Sequence, residues 1–141
     1  MREMRWNCKE KGKCFRRLCP KLGAFDGCFP GKIGMSDVDG MVEIGGRFLF
    51  LEWKSPGGYL TDGQRYAFQN LTSLSTDPMK VTVIVVCGDP EEMTVETVQV
   101  FHSGKGHDVS PCDFEGLRAR IKSWADRAQM CRTRPSRRAA A

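Results

Sequence analysis

The chain has 141 residues, of which 40% are apolar and 28% charged, and its formal net charge is +5. These values are typical of one globular domain with a modest core, so we expect a single domain over residues 1–141. The longest apolar run is far shorter than the roughly 20 residues that cross a bilayer, and no apolar stretch follows the basic N-terminus. We therefore expect a cytoplasmic protein with no membrane partner and no secretion signal.

Basic residues concentrate at the two ends of the chain. Segment 1–21 carries eight Lys or Arg against two Glu, and segment 129–141 carries four Arg and no acid. Such clusters favour a polyanion such as DNA as partner, with Arg16, Arg17 and Lys21 as expected contacts. For segment 129–141, a flexible solvated tail is an equal alternative.

The cysteines do not predict a disulfide framework. There are seven, and Cys8, Cys14, Cys19 and Cys28 cluster without the paired CxxC spacing of structural zinc sites. We expect reduced, partly buried thiols, and a zinc site on these four residues stays open.

The elements are expected in the order helix, hairpin, helix, strand, strand, helix. The first helix is expected over residues 7–22 and is followed by a fixed turn over 25–31. A buried strand over 79–87 and a half-exposed strand over 94–102 follow the second helix, and the last helix is expected to start at Ser110-Pro111. This order predicts an α/β fold with a mixed central sheet flanked by helices.

Residues 36–54, SDVDGMVEIGGRFLFLEWK, predict a β-hairpin. Gly45-Gly46 supplies the positive φ angles of a tight turn. A two-residue turn makes Ile44 face Arg47, and this pairing fixes the register of the whole hairpin.

In that register, four ionisable side chains fall on one face of the hairpin. Asp39 is opposite Glu52, and Asp37 is opposite Lys54. Two opposed carboxylates repel one another, and a divalent cation between them removes that repulsion. Oxygen ligands suit Mg²⁺ or Mn²⁺ better than zinc. A plain Asp37–Lys54 ion pair, with Glu52 capping a loop, is the structural alternative.

The second helix begins after Ser55-Pro56-Gly57-Gly58. Thr61-Asp62-Gly63-Gln64 fits a capping box, in which Gln64 bonds back to Thr61. Gln64 is equally expected to face the sheet near Lys54, and we expect one side chain to fill both roles poorly. Arg65 and Tyr66 are candidates for contact with the DNA backbone.

Asp39 followed thirteen residues later by Glu52-Trp53-Lys54, at the end of an apolar strand, resembles the signature of the PD-(D/E)xK nuclease superfamily. The sequence GRFLFLEWKSPGG, followed by LTDGQRYAFQNL, is similar to virus-type replication-repair nucleases and to archaeal-type Holliday junction resolvases. The resemblance covers residues 36–71. The family's proline is replaced by Ser36 or Val38, which leaves open whether Asp37 or Asp39 is the main ligand.

The resemblance implies a restriction-endonuclease-like core and a Mg²⁺- or Mn²⁺-dependent DNA endonuclease. It implies Asp39, Glu52 and the carbonyl oxygen of Trp53 as metal ligands, Lys54 and Gln64 as catalytic residues, and Asp37 as a second ligand. Some members add an acid from the first helix to the metal site, and Glu3 or Glu10 would supply it here. Asp26 is a candidate for an extra ligand, although a turn-forming role is favoured for it. Branched DNA, a phage origin with function in the host cytoplasm, and a homodimer are all compatible with this assignment.

Two alternatives remain. One is a nuclease-fold protein that no longer cuts and acts as a DNA-binding or inhibitor protein. The other is a zinc-stabilised nucleic-acid-binding module built on the N-terminal cysteines. The intact Asp39, Glu52 and Lys54 favour the nuclease.

Overall fold

A computed structural model describes residues 21–131 of the chain. The chain divides into two compact units, Met1–Asp37 and Val38–Ala141. The described part of the first unit contains a 3₁₀ helix, Leu22–Phe25, followed by turns. The helix expected over 7–22 falls almost wholly outside the described residues, as do Arg16 and Arg17.

The second unit is built on one mixed sheet. Its strands are β1 (Gly40–Ile44), β2 (Arg47–Lys54), β3 (Val81–Asp89), β4 (Thr94–His102), β5 (Lys105–Gly106) and β6 (Ser110–Pro111). The order is β1-β2-β3-β4-β5, with β6 also paired to β4. Strands β2 and β3 are parallel and the other pairs are antiparallel. In the described residues of this unit, two helices, α1 (Asp62–Thr72) and α2 (Phe114–Met130), accompany the sheet, which confirms the α/β class and the mixed sheet.

The hairpin has the predicted register. Ile44 pairs with Arg47, and the pairing continues to Gly40 opposite Leu51. Gly45 and Gly46 have φ angles of 58° and 82°, which a two-residue type I′ turn requires at both positions.

The centre of the sheet is buried on both faces, which explains the unbroken apolar run of β3. Val83 and Val85 pack with Phe68 and Leu71 of α1. On the opposite face, α2 contributes Leu117 and Trp124 to a second apolar cluster, in which they join Leu49, Ile84, Val86 and Val98. Helices therefore flank the sheet on both sides. Within residues 21–131, neither helix combines the length and apolar character that crossing a bilayer requires.

The start of the last helix was predicted wrongly. Ser110-Pro111 forms β6 against Thr97 and Val98, and the helix begins only at Phe114. Asp113 is its N-cap, because its Oδ1 accepts a hydrogen bond from Gly116 N at 2.7 Å. The helix also includes residues 129 and 130, which were expected to belong to the tail.

Strand β3 begins at Val81, two residues later than expected. Asp77 Oδ1 accepts a hydrogen bond from Met79 N at 2.9 Å, and Lys80 N donates to Asp77 O at 3.0 Å. These bonds hold residues 77–80 in a turn, so the strand can start only after it.

The cysteines of the described part, Cys28, Cys87, Cys112 and Cys131, are free thiols. Cys87 lies half-buried in β3, while Cys28 is exposed. The other three members of the N-terminal cluster lie outside residues 21–131, so a zinc site on that cluster stays an untested alternative.

Candidate active site

The end of β2 carries an ion pair on the sheet face that α1 covers. Lys54 Nζ lies 2.9 Å from Glu52 Oε1, and the two side chains are 20% and 13% exposed. They share this face because residues two apart in a strand point to the same side. A lysine and a glutamate are thus paired where most of their surface is removed from water.

Gln64 connects α1 to this ion pair. Its Nε2 donates to Glu52 Oε1 at 3.1 Å, while its Oε1 accepts from Thr61 N at 3.3 Å. The main-chain N–H of Gln64 donates to Thr61 Oγ1 at 3.2 Å, which completes the capping box. The expectation that the two roles compete is therefore wrong. The amide nitrogen and oxygen of one carboxamide point in different directions and serve one role each.

Asp39 lies beside Glu52 along the main chain of β2. Its Oδ2 accepts a hydrogen bond from Trp53 N at 2.6 Å. Strand pairing with β1 ends at Gly40 and Leu51, so the Asp39 carboxylate takes the place of a strand partner for Trp53. The Trp53 side chain is anchored on the other side of the sheet, where its Nε1 donates to Gly88 O at 2.9 Å.

The Trp53 carbonyl oxygen is placed on the same side as Asp39. The N–H and C=O groups of one strand residue point towards the same neighbouring strand, and Trp53 N–H points to Asp39. This brings two predicted ligands, the Asp39 carboxylate and the Trp53 carbonyl, to the open edge of β2. Asp37 precedes β1 and belongs to the first unit, and its predicted role as a second ligand stays a prediction.

The donor set fits a hard divalent cation. In the described part of the chain, hydrogen bonds reach one oxygen of each carboxylate, Asp39 Oδ2 and Glu52 Oε1. Mg²⁺ is commonly held by one or two carboxylates while it keeps several waters, and a main-chain carbonyl is an acceptable further ligand. No group of three or more His, Cys, Asp or Glu side chains that could hold a metal occurs within residues 21–131. A metal here would therefore depend on the main-chain oxygen and on water as well as on the two acids.

A cleft of about 250 Å³ opens beside Lys54. It lies where β2 and β3 end, at the carboxyl ends of the two parallel strands, which is where ligands commonly bind in open α/β sheets. Arg65 lines the cleft, and its Nη1 lies 3.5 Å from Asp62 Oδ1. Tyr66, the next residue of α1, is 63% exposed. Both predicted DNA contacts of α1 are thus available to a ligand.

A larger cavity, of about 720 Å³, lies on the α2 face of the sheet. It is lined by Trp124, Arg120 and Arg127 of α2 and by His102 and His107. None of the predicted catalytic side chains lines it, so size alone does not mark the site of chemistry. We place the candidate site at the smaller cleft, next to Lys54.

A histidine pair in this larger cavity was not predicted from the sequence. The rings of His102 and His107 are 4.3 Å apart between centroids. Burial, and secondly the charge of His107, hold the pKa of His102 below its ordinary value of 6.5. The sequence feature that could have predicted this pair is Ser103-Gly104. These two residues turn the chain with φ angles of 52° and 78°, so that β5 pairs with β4.

Comparisons with protein-family models, with curated proteins and with solved structures found no match to this chain. The nuclease resemblance therefore depends on the residues of the hairpin and of α1 alone.

Proposed function

We propose that this protein is a metal-dependent endonuclease that hydrolyses phosphodiester bonds of DNA with Mg²⁺ or Mn²⁺. The observation that carries the proposal is the convergence of Lys54 Nζ and Gln64 Nε2 on one oxygen of Glu52, at 2.9 and 3.1 Å. Asp39 adds a second carboxylate one residue along the strand, at Trp53 N.

A purely structural role explains this arrangement poorly. Desolvation of a mostly buried ion pair offsets much of its Coulomb energy, and apolar residues of similar volume are often as stabilising. A mostly buried ion pair whose lysine lines a cleft is therefore more typical of a functional site than of a structural one.

In the proposed mechanism, Asp39, Glu52 and the Trp53 carbonyl would hold the cation. When bound, the cation would supply a more acidic water and offset the charge that develops on the phosphate. Lys54 would donate hydrogen bonds to the attacking water or to a phosphate oxygen. Gln64 holds the Glu52 carboxylate in one orientation through its Nε2.

DNA binding is assigned to cationic and polar groups in both units. Arg65 and Tyr66 lie on α1, next to the cleft, and are suited to contact phosphate oxygens. Lys21 is exposed in the first unit, and Arg16, Arg17 and the basic tail add a sequence-independent attraction to the DNA backbone. The proposal includes a restriction-endonuclease-like core and action in the cytoplasm, that of the host cell if the protein is phage-encoded.

The same ion pair favours a second candidate function. Lys54 neutralises Glu52 directly, so the charge of Glu52 has a partner without a metal. A DNA-binding or inhibitor protein built on a nuclease fold, with no turnover, would have the same geometry.

A panel of labelled DNA substrates separates the two candidates. Linear duplex, single strand, flap and four-way junction would each be incubated with Mg²⁺, Mn²⁺ or EDTA, and binding would be measured in parallel. We expect cleavage of at least one substrate in either metal and none in EDTA. Tight binding with every substrate intact in both metals would replace the nuclease proposal with the non-cutting one. Sedimentation of the same sample would establish whether the protein is a homodimer.

A further inference from the structure

The cleft beside Lys54 has a chemical character that the cleavage site alone does not need. Its lining includes Lys54, Tyr59, Leu60, Arg65, Val85 and Cys87. Leu60 and Val85 are 6% and 7% exposed and give it an apolar floor, whereas Tyr59 is 82% exposed. The cleft thus combines an apolar floor, one aromatic side chain with a largely free surface, and cations.

Tyr59 is carried by a fixed turn. Gly58 N donates to Ser55 O at 2.8 Å, and the Cys87 thiol donates to the same oxygen at 3.2 Å. A side chain at Gly58 would come within 2.9 Å of that carbonyl oxygen, so the turn closes tightly. With buried Leu60 directly after it, the main chain of Tyr59 is held at the cleft by both neighbouring residues, and little main-chain entropy is lost when a ligand contacts it.

Size and charge limit what the cleft can hold. Its volume of about 250 Å³ is below the roughly 300–1,000 Å³ of pockets for drug-sized ligands, so it suits one planar ring system. Lys54 and Arg65 are on its wall, and the described residues that line it include no carboxylate. Gln99 adds a carboxamide that is fixed by its bond to His107 O at 2.9 Å and keeps further polar capacity for a ligand.

We propose that this cleft binds one unpaired nucleobase of the DNA substrate, with Tyr59 stacked on the base and Lys54 and Arg65 on the phosphate attached to it. This inference rests on the proposed nuclease function and deepens it. In duplex DNA both faces of each base are stacked, so a base enters such a cleft only from a single strand or after extrusion from the duplex. The substrate class is therefore DNA with an unpaired nucleotide next to the scissile phosphate.

The test is a binding measurement in EDTA, where no turnover occurs. A single-stranded oligonucleotide with a central 2-aminopurine, and the same strand annealed to its complement, would be titrated with the wild type and with variants. Stacking on Tyr59 should quench the fluorescence of the single strand. Tyr59→Ala should weaken single-strand binding about tenfold, from the usual loss of one base–aromatic stack, and should remove the quenching. Tyr59→Phe should keep both, because the ring is retained.

Leu74→Ala is the matched control, because Leu74 is an apolar residue that is also highly exposed, at 76%, and lies away from the cleft lining. It should change neither binding nor quenching. Duplex binding should differ less than about twofold between wild type and Tyr59→Ala, because a stacked base offers Tyr59 no free face. Equal losses on single strand and duplex, or no loss on either, would overturn the proposal.

Two further readouts separate the proposals. If quenching depends on Tyr59 but no DNA is cut in Mg²⁺ or Mn²⁺, the nuclease function fails and the nucleobase site stands. If cleavage occurs and is indifferent to Tyr59 and to pairing of the DNA, the nucleobase site is overturned and the nuclease stands. Free 2-aminopurine deoxyribonucleotide should bind more weakly than the oligonucleotide, and equal affinity would overturn the assignment to DNA.

Discussion

The Asp39 carboxylate accepts the main-chain N–H of Trp53 at 2.6 Å, at the point where β1 no longer pairs with β2. This contact gives Asp39 a structural role beside its proposed metal role. Asp39→Asn separates the two, because the amide oxygen can still accept the hydrogen bond while the charge is lost. We expect Asp39→Asn to unfold in urea within about 0.5 kcal/mol of the wild type and to lose DNA cleavage.

Asp39→Ala removes the acceptor as well, and its free energy of unfolding should fall by about 1 kcal/mol. Cleavage at the wild-type rate by Asp39→Asn would restrict Asp39 to its structural role.

Lys54→Met tests the role of the ammonium group and keeps most of the aliphatic stem. The cleavage rate should fall by about 10²–10⁴-fold, the usual contribution of a positioned proton donor or acceptor. The Kd for DNA should change less than about threefold, since one cation is a small part of phosphate binding. Lys122→Met is the control, because Lys122 is exposed on α2 and pairs with Asp126 at 3.2 Å. If Lys54→Met and Lys122→Met cut equally well, Lys54 is not catalytic.

The substitution Gln64→Glu keeps the N-terminal cap of α1 but changes the contact with Glu52. Glutamate also serves at this position of a capping box, but it sets a second carboxylate against Glu52 in place of an N–H donor. Thermal unfolding in EDTA should occur at a lower temperature than for the wild type, and Mn²⁺ should restore part of the loss, because a cation relieves the repulsion.

Thr61→Ala weakens only the cap and should lower the free energy of unfolding by about 0.5–2 kcal/mol, with no recovery in Mn²⁺. Identical responses of the two variants to Mn²⁺ would argue against a cation beside Glu52.

His102 should make the protein less stable in mild acid. Its pKa is lowered in the folded protein, by burial first and by His107 second, so the unfolded chain takes up the proton at higher pH. The free energy of unfolding should therefore fall as the pH drops below 6.5, until the lowered pKa of the folded state is passed. An NMR titration should give a pKa for His102 below 6.5, and His107→Gln should raise it. A His102 that titrates at or above its ordinary value would contradict the account.

Local chemistry made much of the hairpin and of α1 predictable from sequence. Gly45-Gly46 permits a type I′ turn, which fixes the register, and Thr61 with Gln64 specifies the cap. The contact between Gln64 and Glu52 could not be predicted, because it depends on where α1 lies over the sheet. Sequence periodicity does not indicate that position. Likewise, the Asp39 contact with Trp53 depends on where β1 ends.

The prediction of where α2 begins was wrong for a physical reason. A proline after a serine is a common helix start, but strand pairing with β4 takes Ser110-Pro111, and Asp113 then provides a second N-cap signal three residues later. The pair of His102 and His107 was missed because β5 has only two residues, too few for any periodic pattern.

Comparing Glu52→Gln with Glu43→Gln in a Mn²⁺-dependent nicking assay would show whether a metal held by Glu52 takes part in cutting DNA. Glu43 is on the exposed part of the same hairpin, where it accepts from Gly46 N at 2.6 Å, a bond that glutamine can also make. We expect metal-dependent nicking by the wild type and by Glu43→Gln, and a loss of about a hundredfold or more in Glu52→Gln, the scale on which a catalytic group acts. Nicking by Glu52→Gln at the wild-type rate, or wild-type activity that persists in EDTA, would contradict this expectation.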